Sequence, residues 1–258
     1  MPVRMRSIVA IASVAVGASS FHLQAADLRV LSGGGAQAVL RTLVPDFQST
    51  TGNKVELEFG VVGVIQQKLT KGEKADVVVL PVALLDAMQK AGVFGTKFRT
   101  IVGRIPIGVV VREGVDGPDI AHPDAVRKAL MDARSVALPD PNATPTGKHL
   151  MGAFAQMGIA GSMQPKITFK NAIDGGVDLV GEGKVDLGLF LVTEILPVKG
   201  VKLVGTLPAS LQGYVVYAAA VAADSHASEA ALQFVKFLSN SDAHTKWKAA
   251  GFESTDGI

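Results

Sequence analysis

Apolar residues in this chain follow two rhythms: short unbroken runs, and longer stretches where they recur roughly every three to four positions. The runs read as strands buried on both faces, the longer stretches as helices packed along one side. Residues 28–31 form the first run. Residues 36–47 carry the helical period and close near Gly52, residues 55–59 form a second strand, 64–70 a helix ending at Gly72, and 77–80 a third strand. Strand and helix alternate here, and such alternation predicts a mostly parallel sheet with helices on its faces.

The same rhythm returns after residue 100. Strands are expected at 105–111, 136–138, 167–169, 187–191 and 201–204, with helices around 123–132, from Gly147 and from Val177. A long apolar run at 213–223 reads as a strand that returns to the first unit, followed by helices at 228–238 and 242–250. The expectation is therefore an α/β chain of two lobes, each a mostly parallel sheet flanked by helices. Residues 27–103 and 212–258 build lobe 1 and residues 104–211 build lobe 2. The two crossings, near Gly103 and Leu211, would act as a hinge, with a ligand cleft between the lobes.

Residues 1–26 break this rhythm. Arg4 and Arg6 precede an apolar run over residues 8–16, and small residues end the segment at Ala25 and Ala26, the pattern of a cleaved secretory signal peptide. The run falls short of the roughly 20 residues that cross a bilayer. Met5 separates the two arginines, so the segment lacks a twin-arginine pair. The expectation is an exported, soluble, periplasmic protein with no membrane insertion. The sequence has no cysteine, which excludes a thiol-anchored lipoprotein and a disulfide scaffold. A net charge of +2 without a basic block gives no reason to expect nucleic acid. No apolar stripe is left over for an interface, so a monomer is expected.

Three turns between strand and helix are rich in glycine and small residues: Ser32-Gly33-Gly34-Gly35, Gly60-Val61-Val62-Gly63, and Asn142-Ala143-Thr144-Pro145-Thr146-Gly147. Each leaves backbone N–H groups bare at a helix start. In open α/β sheets such turns gather at the carboxyl ends of the strands, where they favour an anion. Any one glycine turn serves the backbone alone often enough to carry little weight; three, spread over both lobes, favour a small anionic ligand in the cleft. Gly33, Gly35 and Ala38 also fit a dinucleotide fingerprint, with Glu56 and Glu58 on the next strand. Export in an unfolded state argues against that reading, and no cofactor is called for.

Candidate ligand contacts are Ser32, Gly34, Gly35, Gly63, Arg104, Thr146, Gly147, Lys148 and Thr193, with His149 and Glu194 as candidates to move a proton. Lys148 and His149 open a helix and face either the cleft or solvent. Arg104, at the first crossing, either grips a carboxylate or serves the hinge. Glu194 is a base or a partner for Lys199. His122, His226 and His244 are scattered without metal-ligand spacing, so no metal is expected. Trp247, Phe234 and Phe237 fall at helical spacing and read as core.

From Leu28-Arg29-Val30-Leu31 onward, the chain resembles the periplasmic molybdate-binding protein family. The resemblance runs through Gly72 with Ala75-Asp76-Val77, Leu138-Pro139-Asp140-Pro141 with Pro145-Thr146-Gly147, Asp186-Leu187-Gly188, Lys199-Gly200-Val201-Lys202, and Gly251-Phe252. It implies a type 2 periplasmic binding fold, with an ABC permease as partner if the protein is a receptor. The family's oxyanion is held by two serines and a tyrosine. The matching positions here are Gly35, Val62 or Gly63, and Leu191, none of which has a side-chain donor. Each lost charge-assisted bond removes roughly 1.5–3 kcal/mol, and the missing serines leave room for a larger organic anion. In this the chain resembles the branch of the fold that isomerises aconitate. That implies reversible trans- to cis-aconitate conversion by allylic proton transfer, with Lys148 and Arg104 on carboxylates and His149 or Glu194 moving the proton. The alternative is a non-enzymatic receptor for molybdate or another small anion.

Overall fold

The computed structural model describes residues 25–254. The segment read as a signal peptide lies outside them apart from its last two residues. The chain runs through β1 (Asp27–Gly33), α1 (Gln37–Thr51), β2 (Lys54–Gly60), α2 (Val62–Thr70), β3 (Val77–Pro81), α3 (Val82–Lys90), β4 (Thr96–Ile105) and β5 (Ile107–Arg112). It continues through α4 (Pro123–Asp132), β6 (Val136–Leu138), α5 (Pro145–Gln156), α6 (Ala160–Met163), β7 (Ile167–Phe169), α7 (Asp178–Gly181), β8 (Leu187–Leu191), α8 (Val192–Ile195) and β9 (Val201–Thr206). The last elements are β10 (Val215–Ala222), α9 (Ser228–Phe237) and α10 (Ser241–Ala249).

Two five-stranded sheets result, ordered β2-β1-β3-β10-β4 and β7-β6-β8-β5-β9. In the first, β1 runs parallel to β2 and β3, and β10 is antiparallel to both its neighbours, so β10 alone opposes the other four. In the second, β6 is parallel to β7 and β8, and β5 alone opposes. Each lobe is thus a mostly parallel sheet with helices packed on it. The central strands β3 and β8 are buried at every position, whereas the edge strand β2 has no fully buried residue. That is the burial expected when helices cover both faces of a parallel sheet's middle.

The chain passes between sheets at Pro106 and again between β9 and β10. The apolar run 105–111, expected as one strand, is therefore divided. Pro106 has no N–H to give to a ladder, so β4 ends on the first sheet and β5 begins on the second. The largest core cluster joins α1, α9 and α10 to the first sheet. Phe47 meets Phe234 edge-on with ring centroids 4.9 Å apart, and Trp247 meets Phe252 at 4.6 Å. Trp247 and Phe234 are buried as expected, and Phe237 is partly buried.

Candidate active site between the lobes

The carboxyl ends of β1, β2, β3, β6, β7 and β8 converge on one cleft, and β10 enters it from its amino end because it runs the opposite way. The cleft encloses roughly 430 Å3 of empty space, part of it open to solvent. Its wall is mostly apolar: Val61, Val62, Pro81, Pro139, Pro145, Ile173, Leu191 and Val215. Polar groups come from Gly34, Thr144, Thr146, Asn171, Glu194 and Tyr217. The lobes touch across it, the Gly63 N–H donating to the Ala143 carbonyl at 3.2 Å.

Glu194 is the third residue of the short helix α8, and its carboxylate reaches back to the Leu191 N–H, the near half of a capping box. The Leu191 nitrogen lies 3.4 Å from Oε2. This local bond fixes the carboxyl at the end of β8, facing the first lobe, where a methyl group on Gly34 would come within 3.7 Å of Oε1. No cation balances it: Glu194 makes no ion pair among the described residues, Lys199 included. Burial therefore dominates and pushes its pKa up from 4.5 to about 7, with only the Leu191 N–H acting the other way.

Tyr217 on β10 sits opposite. Its hydroxyl tucks beneath the first glycine turn, where a Cβ at Gly33 would lie 2.7 Å from it and one at Gly35 3.0 Å. Gly33 and Gly35 are thus required by this close approach. Burial first, then the neighbouring Glu194, raises the Tyr217 pKa above its ordinary value, while the Gly35 backbone N–H opposes the shift. The phenol stays protonated and is a donor. Thr146 is buried at the start of α5, whose N-cap is Thr144: its hydroxyl accepts from the Gly147 N–H at 3.0 Å. Gly147 lets α5 lie against the preceding turn, since a Cβ there would be 2.4 Å from the Pro139 carbonyl oxygen. The Asn171 side chain is engaged structurally, accepting from the Asp140 N–H at 3.1 Å and donating to Asp174 at 3.0 Å.

Of the residues singled out from sequence, Gly34, Thr146 and Glu194 line this cleft, and Gly35, Gly63 and Gly147 shape it. Thr193, beside Glu194, is buried and lines an adjoining pocket. The buried Ser32 hydroxyl turns to backbone carbonyls, Gly33 at 3.0 Å and Val79 at 3.2 Å. His149 lies away from the cleft wall: Nε2 is 2.9 Å from the Leu211 carbonyl, and the ring packs on Gly213 at the return crossing. Lys148 is exposed beside it and is absent from the cleft lining. Arg104 is held by Glu253 at 3.0 Å and stacks 4.0 Å from the Tyr214 ring centroid, beside the first crossing and outside the cleft lining. Glu58, the fingerprint's acidic candidate, pairs with Arg29 and Lys68. Sequence reasoning did not single out Tyr217; the signal available was one of only two tyrosines, set inside an apolar strand.

The chain belongs to the bacterial extracellular solute-binding protein family, whose model matches residues 28–253. Aconitate isomerase of a Pseudomonas species is 30% identical over 222 residues, covering 84% of this chain and 83% of that protein. The molybdate-binding protein ModA of Escherichia coli K12 is 22% identical over 215 residues, 83% of each chain. Among solved structures, the Azotobacter vinelandii periplasmic molybdate-binding protein superposes with a TM-score of 0.74 at 20% identity, covering 88% of this chain and 98% of that one. The sulfate-binding protein SubI of Mycobacterium tuberculosis gives 0.73 at 19% identity, covering 90% and 88%. The last two show the fold. No helix among the described residues is long and apolar enough to cross a membrane.

The raised Glu194 pKa has a consequence for stability. Between about pH 4.5 and pH 7 the unfolded chain has this carboxyl ionised while the folded chain keeps its proton. The folded state then binds more protons, so the contribution falls as pH rises through that window, by at most about 1.4 kcal/mol per pH unit. Urea unfolding of Glu194→Gln across the same range should show a flatter pH dependence than the parent. Equal slopes would mean that the carboxyl ionises normally.

Proposed function

We propose that the protein is an exported, periplasmic isomerase that takes aconitate in the cleft and interconverts its trans and cis forms without a cofactor, Glu194 moving the proton. The observation that carries this is a cleft carboxyl whose pKa is raised to about 7 and which has no cation beside it. A carboxylate of raised pKa is a stronger base, yet it remains substantially ionised near neutral pH. In the step itself, Glu194 removes a proton from the methylene carbon and the C–H electrons form the new double bond. The old double bond opens, and the same carboxyl returns the proton to the far allylic carbon. Composition is unchanged, and the torsion at the moment of transfer decides the geometry of the new alkene. The Tyr217 phenol donates to the carboxylate that gathers charge. The identity to an aconitate isomerase supports the reading, as do the aliphatic side chains of Val62 and Leu191 where an oxyanion binder would present donors.

A second reading, a receptor that hands molybdate or another small anion to an ABC permease, is favoured by the family and by the likeness to ModA. A thermal-shift series with molybdate, tungstate, sulfate, phosphate, citrate and both aconitates separates the two when the aconitate samples are followed by ultraviolet absorbance. A ligand at about 100 times its Kd raises stability by about 2.7 kcal/mol. Stabilisation by aconitate with spectral drift toward an isomer mixture supports the enzyme; stabilisation by molybdate alone makes the protein a receptor.

A further inference from the structure

Beside the cleft lies a second pocket of roughly 700 Å3, again partly solvent. The two share Gly34, Ala172, Ile173 and Glu194 as wall residues, which puts Glu194 at the boundary between them. Charge makes the second pocket significant. Among the described residues, no lysine, arginine or histidine lines the main cleft, so a polyanion placed there has no counter-charge. Arg41, on α1, lines the second pocket. It makes no ion pair among the described residues, and its guanidinium carbon lies 5.3 Å from the Phe59 ring centroid. That aromatic face orients the planar fork and leaves its N–H donors available for a carboxylate.

Two further groups face the same need. Thr193 also lines this pocket and is 3% exposed. Its Oγ1 is the one buried side-chain polar atom among the described residues with no hydrogen-bond partner. Leaving such a group unsatisfied is destabilising, and rotation of the hydroxyl toward the pocket would let a bound oxygen satisfy it. The start of α1, with Gln37 and Ala38 in the pocket wall, has no side-chain cap and no acidic residue in its first turn. The Gln37 N–H donates to the Gly34 carbonyl of the 3-10 turn that precedes it (Gly34–Ala36), so it is the helix dipole that favours a negative group there.

We propose that Arg41, with Thr193 and the uncapped start of α1, forms the subsite that takes a second, distal carboxylate of a di- or tricarboxylate whose reacting carbons lie against Glu194. This rests on the reading of the cleft as a polycarboxylate site and names what selects the substrate. A monocarboxylate or a compact oxyanion fills the main cleft without reaching Arg41. A chain of three carboxylates spans both pockets.

Calorimetric titration with tricarballylate, the saturated tricarboxylate that has no double bond to move, isolates binding from turnover. Arg41→Gln should weaken tricarballylate about 10- to 100-fold, the loss of a charge-assisted bidentate contact. Arg41→Lys should recover part of that loss and Thr193→Val should cost several-fold, while crotonate, a monocarboxylate, should bind all four proteins alike. Arg41 is exposed, so its replacement leaves the core untouched. Tricarballylate binding unchanged in Arg41→Gln, or absent from the parent protein, overturns the subsite. Arg41-dependent tricarballylate binding by a parent protein that does not isomerise aconitate would uphold the subsite and sink the isomerase reading alone.

Discussion

If the cleft isomerises aconitate as proposed, Glu194→Gln should abolish turnover and leave aconitate binding intact: kcat should fall by about 10²- to 10⁴-fold, the usual worth of a positioned general base, while Kd should move little or tighten. The amide keeps the shape of the side chain but cannot accept and return a proton. Binding is spared because the parent carboxyl, ionised in part near pH 7, opposes an anion, and the neutral amide does not. The parent's kcat/KM should rise with pH through about 7 as the carboxyl ionises, and a bound polyanion should move the corresponding limb of kcat higher, since a like charge disfavours ionisation. Stopped ultraviolet assays for turnover and calorimetry for binding read the two effects separately. Turnover retained in Glu194→Gln removes Glu194 from the mechanism, and loss of binding together with turnover makes it a structural or binding residue.

The second large effect lies far from the chemistry. Trp247→Ala should destabilise the fold by about 3–5 kcal/mol, a major part of the 5–15 kcal/mol typical of a domain. The indole is 1% exposed, and its Nε1–H donates to the Leu238 carbonyl at 2.9 Å. Its ring also supports Phe252, which in turn meets Tyr217 edge-on at 6.1 Å. The loss should therefore reach the cleft: folded Trp247→Ala protein, below its melting point, should bind ligand more weakly than the parent. Urea unfolding gives the stability change, and titration of the fully folded fraction gives the second. A change below about 1 kcal/mol would contradict the tight packing described here.

Much of the architecture was legible because helix-covered parallel strands write themselves as unbroken apolar runs. The strands β6, β7 and β8 fall where the pattern puts them, and β10 was recognised as a return strand from its length and apolar character. What the pattern missed has physical causes. Residues 96–104 of β4 lie at a sheet edge with polar and apolar side chains intermixed, half of the strand facing water, so no run marks them. Helix α3 follows directly on Pro81, the last residue of β3, without the polar turn that would separate strand from helix, so the apolar run marks only the strand. The glycine turns marked the cleft, because backbone exposed at strand ends leaves a compositional trace. Which charges face it left none. His149 and Lys148 lie on a helix whose first turn does border the cleft through Pro145 and Thr146, yet the helical rotation carries His149 to the return crossing and leaves Lys148 exposed outside the cleft lining. Arg104 lies beside the crossing at Pro106, and its engagement by Glu253 and Tyr214, in place of the cleft carboxylate expected of it, depends on residues distant in sequence. Tyr217 and Arg41 left no sequence signal for the same reason: each reaches its pocket only when β10 and α1 are folded against the ends of other strands.

Proton NMR of trans-aconitate in buffered D2O, with catalytic amounts of the purified protein, tests the central claim most directly. Growth of cis-aconitate signals to a stable ratio is expected, with loss of methylene and vinyl proton intensity as Glu194 exchanges its proton with solvent between transfers. An unchanged spectrum, with aconitate or molybdate bound in the cleft, would contradict it and leave a binding protein.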